Sequence, residues 1–343
     1  MHKVSHHKSI ILLLSAAFMI LSVSGCQNKA ENHTRAFFSM DTYMTLQCYG
    51  DSSAEQVLTE AESEVYRLAS IFDAEIPSSD ISLLNASGQA VVSDDTSAVI
   101  SRSITISQSV NGSFNILVRP LVELWGFNTN SPSHPEDSAI SDLLPIPEAV
   151  SIRIDGNEIT LPECSRIDLG AIAKGYCSDR IRSILSENGI HSALVSLGGN
   201  VMALGSKPDG SAWKIAIRNP FDESGILGIV SICDRSVITS GSYQRYFEEN
   251  GINYHHILDP ETGCPADNGL VSVTVISTNG TNADALSTAF FVLGLDDSLS
   301  MIDTLPDNIR PDGIIFVSED GTITVKGDID FSPDNGTKCI YLP

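Results

Sequence analysis

The chain has 343 residues, with 43 Asp and Glu against 20 Lys and Arg, a formal net charge of −23. Such an acidic chain excludes non-specific nucleic-acid binding and broad contact with anionic lipid head groups, and any polyanionic ligand must be neutralised locally, by a metal ion or a lysine. The body left after an N-terminal leader, about 310 residues, suffices for one large domain or two closely joined ones.

The first residues read as a targeting segment. His2, Lys3, His6, His7 and Lys8 precede an uncharged apolar run from Ile10 to Val23, short for a membrane span, that ends in Val23-Ser24-Gly25-Cys26. Small residues directly before a cysteine look like the bacterial lipoprotein signal, in which residues 1–25 are removed and Cys26 carries the lipid (palmitate). An ordinary secretory signal, or an uncleaved anchor, is the other reading of the same run. On the lipoprotein reading, residues 26–36 are a polar tether and residues 37–343 the functional domain. The protein is then lipid-anchored on the extracytoplasmic face of the cell membrane.

Beyond the tether, Ser39–Tyr49 reads as a strand. Ser53–Phe72 carries Val57, Ala61, Val65, Leu68 and Ile71 at helical spacing. Asp80–Asn85 predicts a short helical turn and Ser97–Val110 a helix, and the proline-rich polar stretch 128–150 a surface connection. Asp155-Gly-Asn157 between two short β-type runs predicts a hairpin, and a helix is expected from Ala171 to about Asn188, ended by Gly189. Strands follow at 193–197, 201–204, 213–217, 228–233, 237–240 and 271–277, then a helix over 282–293 and strands at 314–317 and 322–326. This order suits an α+β fold, mainly antiparallel sheet with flanking helices, better than a doubly wound βαβ repeat. Cys48, Cys164, Cys177, Cys233, Cys264 and Cys339 show no close pair and no zinc-type spacing. Apolar neighbours favour buried thiols at Cys48, Cys177 and Cys233, and disulfide pairing is left open.

Four segments carry candidate chemistry. Asp168-Leu-Gly-Ala-Ile-Ala-Lys-Gly-Tyr176 sets a carboxylate, two glycines and Lys174 at a helix entry, where free N–H groups hold phosphate and turn carbonyls can face a cation. The same pattern also occurs in plain helix starts. Asp284 and Thr288 fall one turn apart on a helix, so both oxygens can reach one hard cation such as magnesium; a helix cap with a packed threonine is the alternative. His256, before the turn Asp259-Pro-Glu-Thr-Gly263, can serve as a general base or be a structural histidine. Leu124-Trp-Gly-Phe127, with Arg119-Pro120 upstream, can stack on a flat ring or be plain core.

Together these segments resemble the ApbE family of FAD:protein FMN transferases. The resemblance is carried by Met40-Asp-Thr, Phe114-Asn115 with Pro120-Leu121 and Leu124–Phe127, Ile167–Tyr176, Ser196-Leu-Gly-Gly-Asn200, Thr239-Ser-Gly241, His256–Gly263 and Ala283–Thr288, in the family's order over residues 37–295. It implies an ApbE-like, T-fold-like architecture and an enzyme that binds FAD with Mg2+ and moves the FMN moiety onto a threonine hydroxyl of a target protein, releasing AMP. Carried over residue by residue, the Ala171 carbonyl, Asp284 and Thr288 are the metal ligands, and Lys174 meets the pyrophosphate. Met40, Trp125, Gly126, Phe127, Asp168, Ser240 and Ile257 bind the cofactor, and His256 is the candidate base. The implied partners are electron-transfer proteins with a flavinylated threonine. Hydrolysis of FAD to FMN and AMP, or flavin storage, are the competing activities, and the metal can be magnesium or manganese. One departure stands out: where relatives often carry an aromatic before the Pro-x-Ser-x-Ile-Ser segment, this chain has Glu75.

Overall fold

The computed structural model describes residues 31–222, 224–334 and 336–343. Cys26 and residues 1–25, to which the leader and lipidation readings belong, lie outside the described residues. Strands β1 (Glu31–Ser39) and β2 (Thr42–Gly50) form a hairpin, followed by helices α1 (Ala54–Phe72) and α2 (Asp80–Ser87), strand β3 (Gln89–Val91) and helix α3 (Asp94–Ser109). Helices α4 (Arg119–Trp125) and α5 (Asp137–Ser141) lead to strands β4 (Arg153–Asp155) and β5 (Glu158–Thr160) and to helix α6 (Ala173–Glu187). Then come β6 (Ala193–Leu197), β7 (Asn200–Leu204), β8 (Trp213–Arg218), β9 (Ile226–Ile232), β10 (Ser236–Gly241), β11 (Tyr246–Glu249), β12 (Ile252–His255) and β13 (Leu270–Ser277). Helices α7 (Gly280–Leu293) and α8 (Leu295–Ile302) and strands β14 (Gly313–Ser318), β15 (Ile323–Gly327), β16 (Asp330–Pro333) and β17 (Cys339–Leu342) complete the chain.

The main sheet has nine strands in the order β1-β2-β6-β7-β10-β13-β14-β15-β17, antiparallel except for the β15–β17 pair. On one face, Leu58 and Val65 of α1, Ile181 and Leu185 of α6, and Leu286 and Phe290 of α7 cover Leu46, Val195, Val273 and Phe316 of the sheet. On the other, the small sheet β16-β9-β8 packs Trp213, Ile215 and Val230 against Val237, Ile276 and Ile315. Covered on both faces, the central strand β14 is a near-continuous apolar run, Ile314 to Val317, with no polar alternation. A third cluster holds Leu121, Trp125, Phe127, Ile140 and Leu258 beside the β11–β12 hairpin.

The α+β expectation holds, with local corrections. The tether drawn over 26–36 overlaps β1, because Glu31 to Ala36 pair in register with Gly50 to Thr45. An edge strand with one wet face alternates polar residues such as Asn32 and Thr34, and in sequence that looks like a linker. The strand expected over 39–49 is broken at Met40 and Asp41, which turn with φ of 47° and 57°. These are the two left-handed positions of a tight hairpin turn, and the Asn-Gly type of signal that normally marks one is absent. Helix α6 starts at Ala173 rather than Ala171, after a turn in which Ile172 and Ala173 N–H donate to Leu169 O. All six cysteines within the described residues are unpaired; Cys48 and Cys177 are buried and Cys233 is partly exposed.

Helices α6 and α7 cross at two glycines. A Cβ on Gly175 would collide with Gly280 O and lie 2.6 Å from Asp284 Cβ. Overpacking at such a contact costs about 1–3 kcal/mol. Gly175→Ala is therefore expected to lower unfolding stability by about that amount, read from the midpoint of urea denaturation.

Candidate functional site

One cavity of about 1270 Å³ opens at the end of the sheet where the functional segments meet. Its wall is built from the β1–β2 turn, the 168–174 turn, the β6–β7 turn, the end of β10, residues 256–258 and the first half of α7. Met40, Phe127, Asp168, Ala171, Lys174, Ser240, His256, Ile257, Asp284 and Thr288 all line it. Segments far apart in sequence thus supply one wall, because the turns of neighbouring antiparallel strands fall at the same sheet end.

Asp284 organises the polar floor. Its side chain accepts from Gly175 N–H at Oδ2 (2.8 Å) and from Asn200 Nδ2 at Oδ1 (3.0 Å), and the residue is 6% exposed. Among the described residues no arginine or lysine pairs with it. In a regular helix Gly175 N–H would bond Ala171 O. Asp284 takes that donor instead, and among the described residues no backbone N–H reaches Ala171 O. A buried carboxylate without a cation thus lies in the same wall as a freed carbonyl.

Thr288 completes the oxygen set. Ser287 has one proton and gives it to Asp284 O at 2.8 Å. Ser240 therefore donates to Ser287 (2.8 Å) and accepts from Thr288 (3.2 Å). This relay leaves the lone pairs of Thr288 Oγ1 free. Ser240 acts by orienting that hydroxyl as well as by lining the cavity. The Ala171 carbonyl, Asp284 and Thr288 are all oxygen donors, a set that fits a hard divalent cation.

Charge inside the cavity differs from that of the whole chain. Arg119, Lys174, Arg218 and Arg245 line it against Asp41, Asp73, Glu75, Asp168 and Asp284, so the wall is nearly balanced and can admit a phosphorylated ligand. Lys174 Nζ reaches only Gly170 O, at 3.5 Å, and forms no ion pair among the described residues. Arg119, by contrast, is held by Glu123 (2.8 Å), Asp168 (3.1 Å) and Glu75, which also accepts from Asn128 (2.9 Å). Those two donors, Asn128 first, hold the Glu75 carboxyl below its usual range. Glu75 therefore contributes an ionic brace between the end of α1 and α4. Asp168 fixes the turn as well, through Gly170 N–H at 2.8 Å.

His256 sits half-buried in the cavity wall, and its Nδ1 lies 3.1 Å from Arg245 O. A carbonyl only accepts, so Nδ1 carries the proton and Nε2 keeps its lone pair. Burial pushes the imidazole pKa down to about 4 against the support of that carbonyl, and the nearby cations Arg245 and Lys174 push the same way. A neutral imidazole with a free Nε2 is available as a proton acceptor at neutral pH, and is a weaker base than an unperturbed histidine. His255 is different: it is buried, bonded to Ala266 O at 3.0 Å, and structural.

Two expected contacts fail. Trp125 is 0% exposed and Gly126 also stays off the cavity wall. The indole donates to Gly263 O at 2.9 Å and stacks on Phe127, with centroids 6.0 Å apart. Trp125 thus pins the 259–263 turn from behind, Gly126 ends α4 at φ 71°, and Phe127 alone reaches the cavity. An aromatic pair in sequence does not reveal which ring faces inward. Sequence reading also missed Arg119 as a cavity residue and Asn200 as the partner of Asp284. Asn200 was within reach, since it ends the Ser-Leu-Gly-Gly-Asn motif.

Fold and site together define an α+β protein with one large ligand cavity, its polar wall combining an oxygen-only donor set, an unpaired lysine and a neutral imidazole. The chain belongs to the ApbE family, whose model matches residues 40–310. The FAD:protein FMN transferase of Treponema pallidum (strain Nichols) is 32% identical over 314 residues, covering 84% of this chain and 86% of that protein. The transferase of the same name from Vibrio cholerae is 30% identical over 319 residues, 90% of this chain and 94% of that one. The crystal structure of the ApbE protein of Thermotoga maritima superposes with a TM-score of 0.79 at 30% identity, covering 85% of this chain and 96% of that one. The apo flavinyl transferase ApbE of Pseudomonas stutzeri gives 0.76 at 27% identity, over 90% and 96%.

The depressed His256 value gives a pH expectation. A histidine whose folded pKa lies below its unfolded value of about 6.5 withdraws stability as pH falls through the window from 6.5 to about 4. In the folded protein the His256 imidazole should titrate with a midpoint near 4 by NMR. A midpoint near 6.5 would contradict the desolvation of the ring in the cavity wall.

Proposed function

We propose that this protein is an FAD:protein FMN transferase that moves the FMN moiety of FAD onto a threonine hydroxyl of an electron-transfer protein, with Mg2+, at the extracytoplasmic membrane face. The observation that carries this reading is the arrangement around Asp284. A buried carboxylate, a carbonyl freed from its helix bond and a hydroxyl with free lone pairs share one cavity wall with Lys174. The names of the relatives supply the substrate.

A divalent cation bound by Ala171 O, Asp284 and Thr288 would neutralise the pyrophosphate and the charge that develops on the leaving phosphate. Lys174 adds a positive charge to the same group. Met40, Phe127 and Ile257 offer apolar wall to a flat ring. Transfer needs an acceptor hydroxyl in line with the FMN phosphorus, so positioning and charge neutralisation do most of the work. The threonine oxygen forms the new P–O bond as the bond to AMP breaks. The hydroxyl proton passes to Nε2 of His256, and AMP leaves with the bridging oxygen. The result is a phosphoester between FMN and the threonine.

Asp284→Ala removes the only carboxylate of the donor set and should lower AMP release by about 10²-fold or more, with the far-UV circular dichroism unchanged. The assay uses the full chain in detergent with FAD, magnesium and a threonine-bearing acceptor domain, and follows AMP together with acceptor mass. An FMN-sized mass gain lost with chelator supports transfer; AMP and free FMN without mass gain would make the protein a hydrolase. Anchoring is supported only by the motif before Cys26. Cys26→Ser should therefore move the protein from the membrane fraction to the soluble fraction, or leave it as an unprocessed precursor; retention as mature, lipid-bearing protein would overturn the lipidation reading.

A further inference from the structure

We infer that the outer edge of β1, with the exposed aromatic pair Phe38 and Tyr43, is the docking surface for the acceptor protein's extended, hydroxyl-bearing segment. This rests on the transferase reading above. Phe38 and Tyr43 face each other across the β1–β2 hairpin, one residue from its turn, and each is 64% exposed. Lying opposite each other, the two rings form one contiguous apolar patch, the kind of surface feature that marks an interaction site when it adjoins a cavity. Here Phe38 belongs to the part of the hairpin that enters the cavity wall, Phe38 to Thr42, and Tyr43 directly follows it.

The backbone points the same way. β1 is the terminal strand of the nine-stranded sheet, and its far side is unpaired among the described residues. In a two-residue hairpin the pair flanking the turn, Ser39 and Thr42, exchanges hydrogen bonds, so alternate residues Phe38, Ala36 and Thr34 turn their N–H and C=O outward. An extended segment added there gains main-chain bonds and an aromatic contact, and its continuation runs directly to the cavity mouth. Tyr246, 52% exposed and also in the cavity wall, lies at the start of β11 and offers a third exposed aromatic. A lipid surface is the poorer occupant: Glu31, the end of β1 nearest Cys26 in the chain, lies roughly 23 Å from Phe38 at about 3.3 Å per residue.

The hydroxyl substrate is a polypeptide, and free water needs no docking surface, so the two activities separate the proposals. The test compares full-length wild type with Tyr43→Ser and Phe38→Ser, using a soluble acceptor domain that carries threonine in an exposed Ser/Thr/Gly-rich segment. Tyr43→Ser, whose side chain lies outside the cavity wall, should raise KM for the acceptor by about tenfold while AMP release with water as acceptor and the thermal midpoint stay at wild-type values. Phe38→Ser should raise that KM at least as much. Unchanged acceptor KM in both variants would overturn the docking surface, including the case where they instead lose binding to anionic vesicles or lose self-association. Failure of wild type to label the acceptor while still releasing AMP would overturn the transferase reading itself.

Discussion

Everything in this site depends on how one carboxylate is held. Asp284 is almost wholly buried, and its hydrogen bonds come from two neutral donors, Gly175 N–H and Asn200 Nδ2. Both donors are neutral, so among the described residues no cation pairs with this buried carboxylate. Helix α6 reaches it only because Gly175 and Gly280 let the two helices touch at their backbones. The same contact diverts Gly175 N–H from Ala171 O. Close packing, a freed carbonyl and an under-compensated charge are thus three consequences of one helix crossing.

The near balance of charge along the cavity wall reconciles the acidity of the chain with a phosphorylated ligand. The excess of carboxylates lies outside the cavity, or is tied up within it. Glu75, Glu123 and Asp168 surround Arg119 and occupy its guanidinium, while Lys174 forms no ion pair among the described residues. Glu75 braces the end of α1 against α4. His256 stays neutral because burial and adjacent cations both disfavour its charged form. A neutral imidazole and a lysine can then share one cavity without the imidazole being protonated.

Much of this was legible in the residues. The alternation of apolar positions gave the helices α1 and α7 and most strands of the main sheet within a few residues, since burial of one face sets period directly. The spacing of Asp284 and Thr288 and the glycines around Lys174 located the polar floor. The turn at Met40 and Asp41 was illegible because neither residue is a glycine or asparagine; their left-handed backbone is imposed by hairpin pairing from both sides. β1 was read partly as tether because an edge strand with one wet face is as polar as a linker.

The class of fold, the order of the motifs and the chemical types gathered at the site all follow from local periodicity and residue chemistry, and so are written in the chain itself. Tertiary structure alone decided which groups are free to act. Whether Trp125 or Phe127 faces the cavity, whether Ala171 O is taken by its own helix, to which neighbour Ser240 gives its proton and which nitrogen of His256 keeps a lone pair all depend on partners outside the residue's own segment. Each donor has a limited number of protons, and only the folded arrangement assigns them.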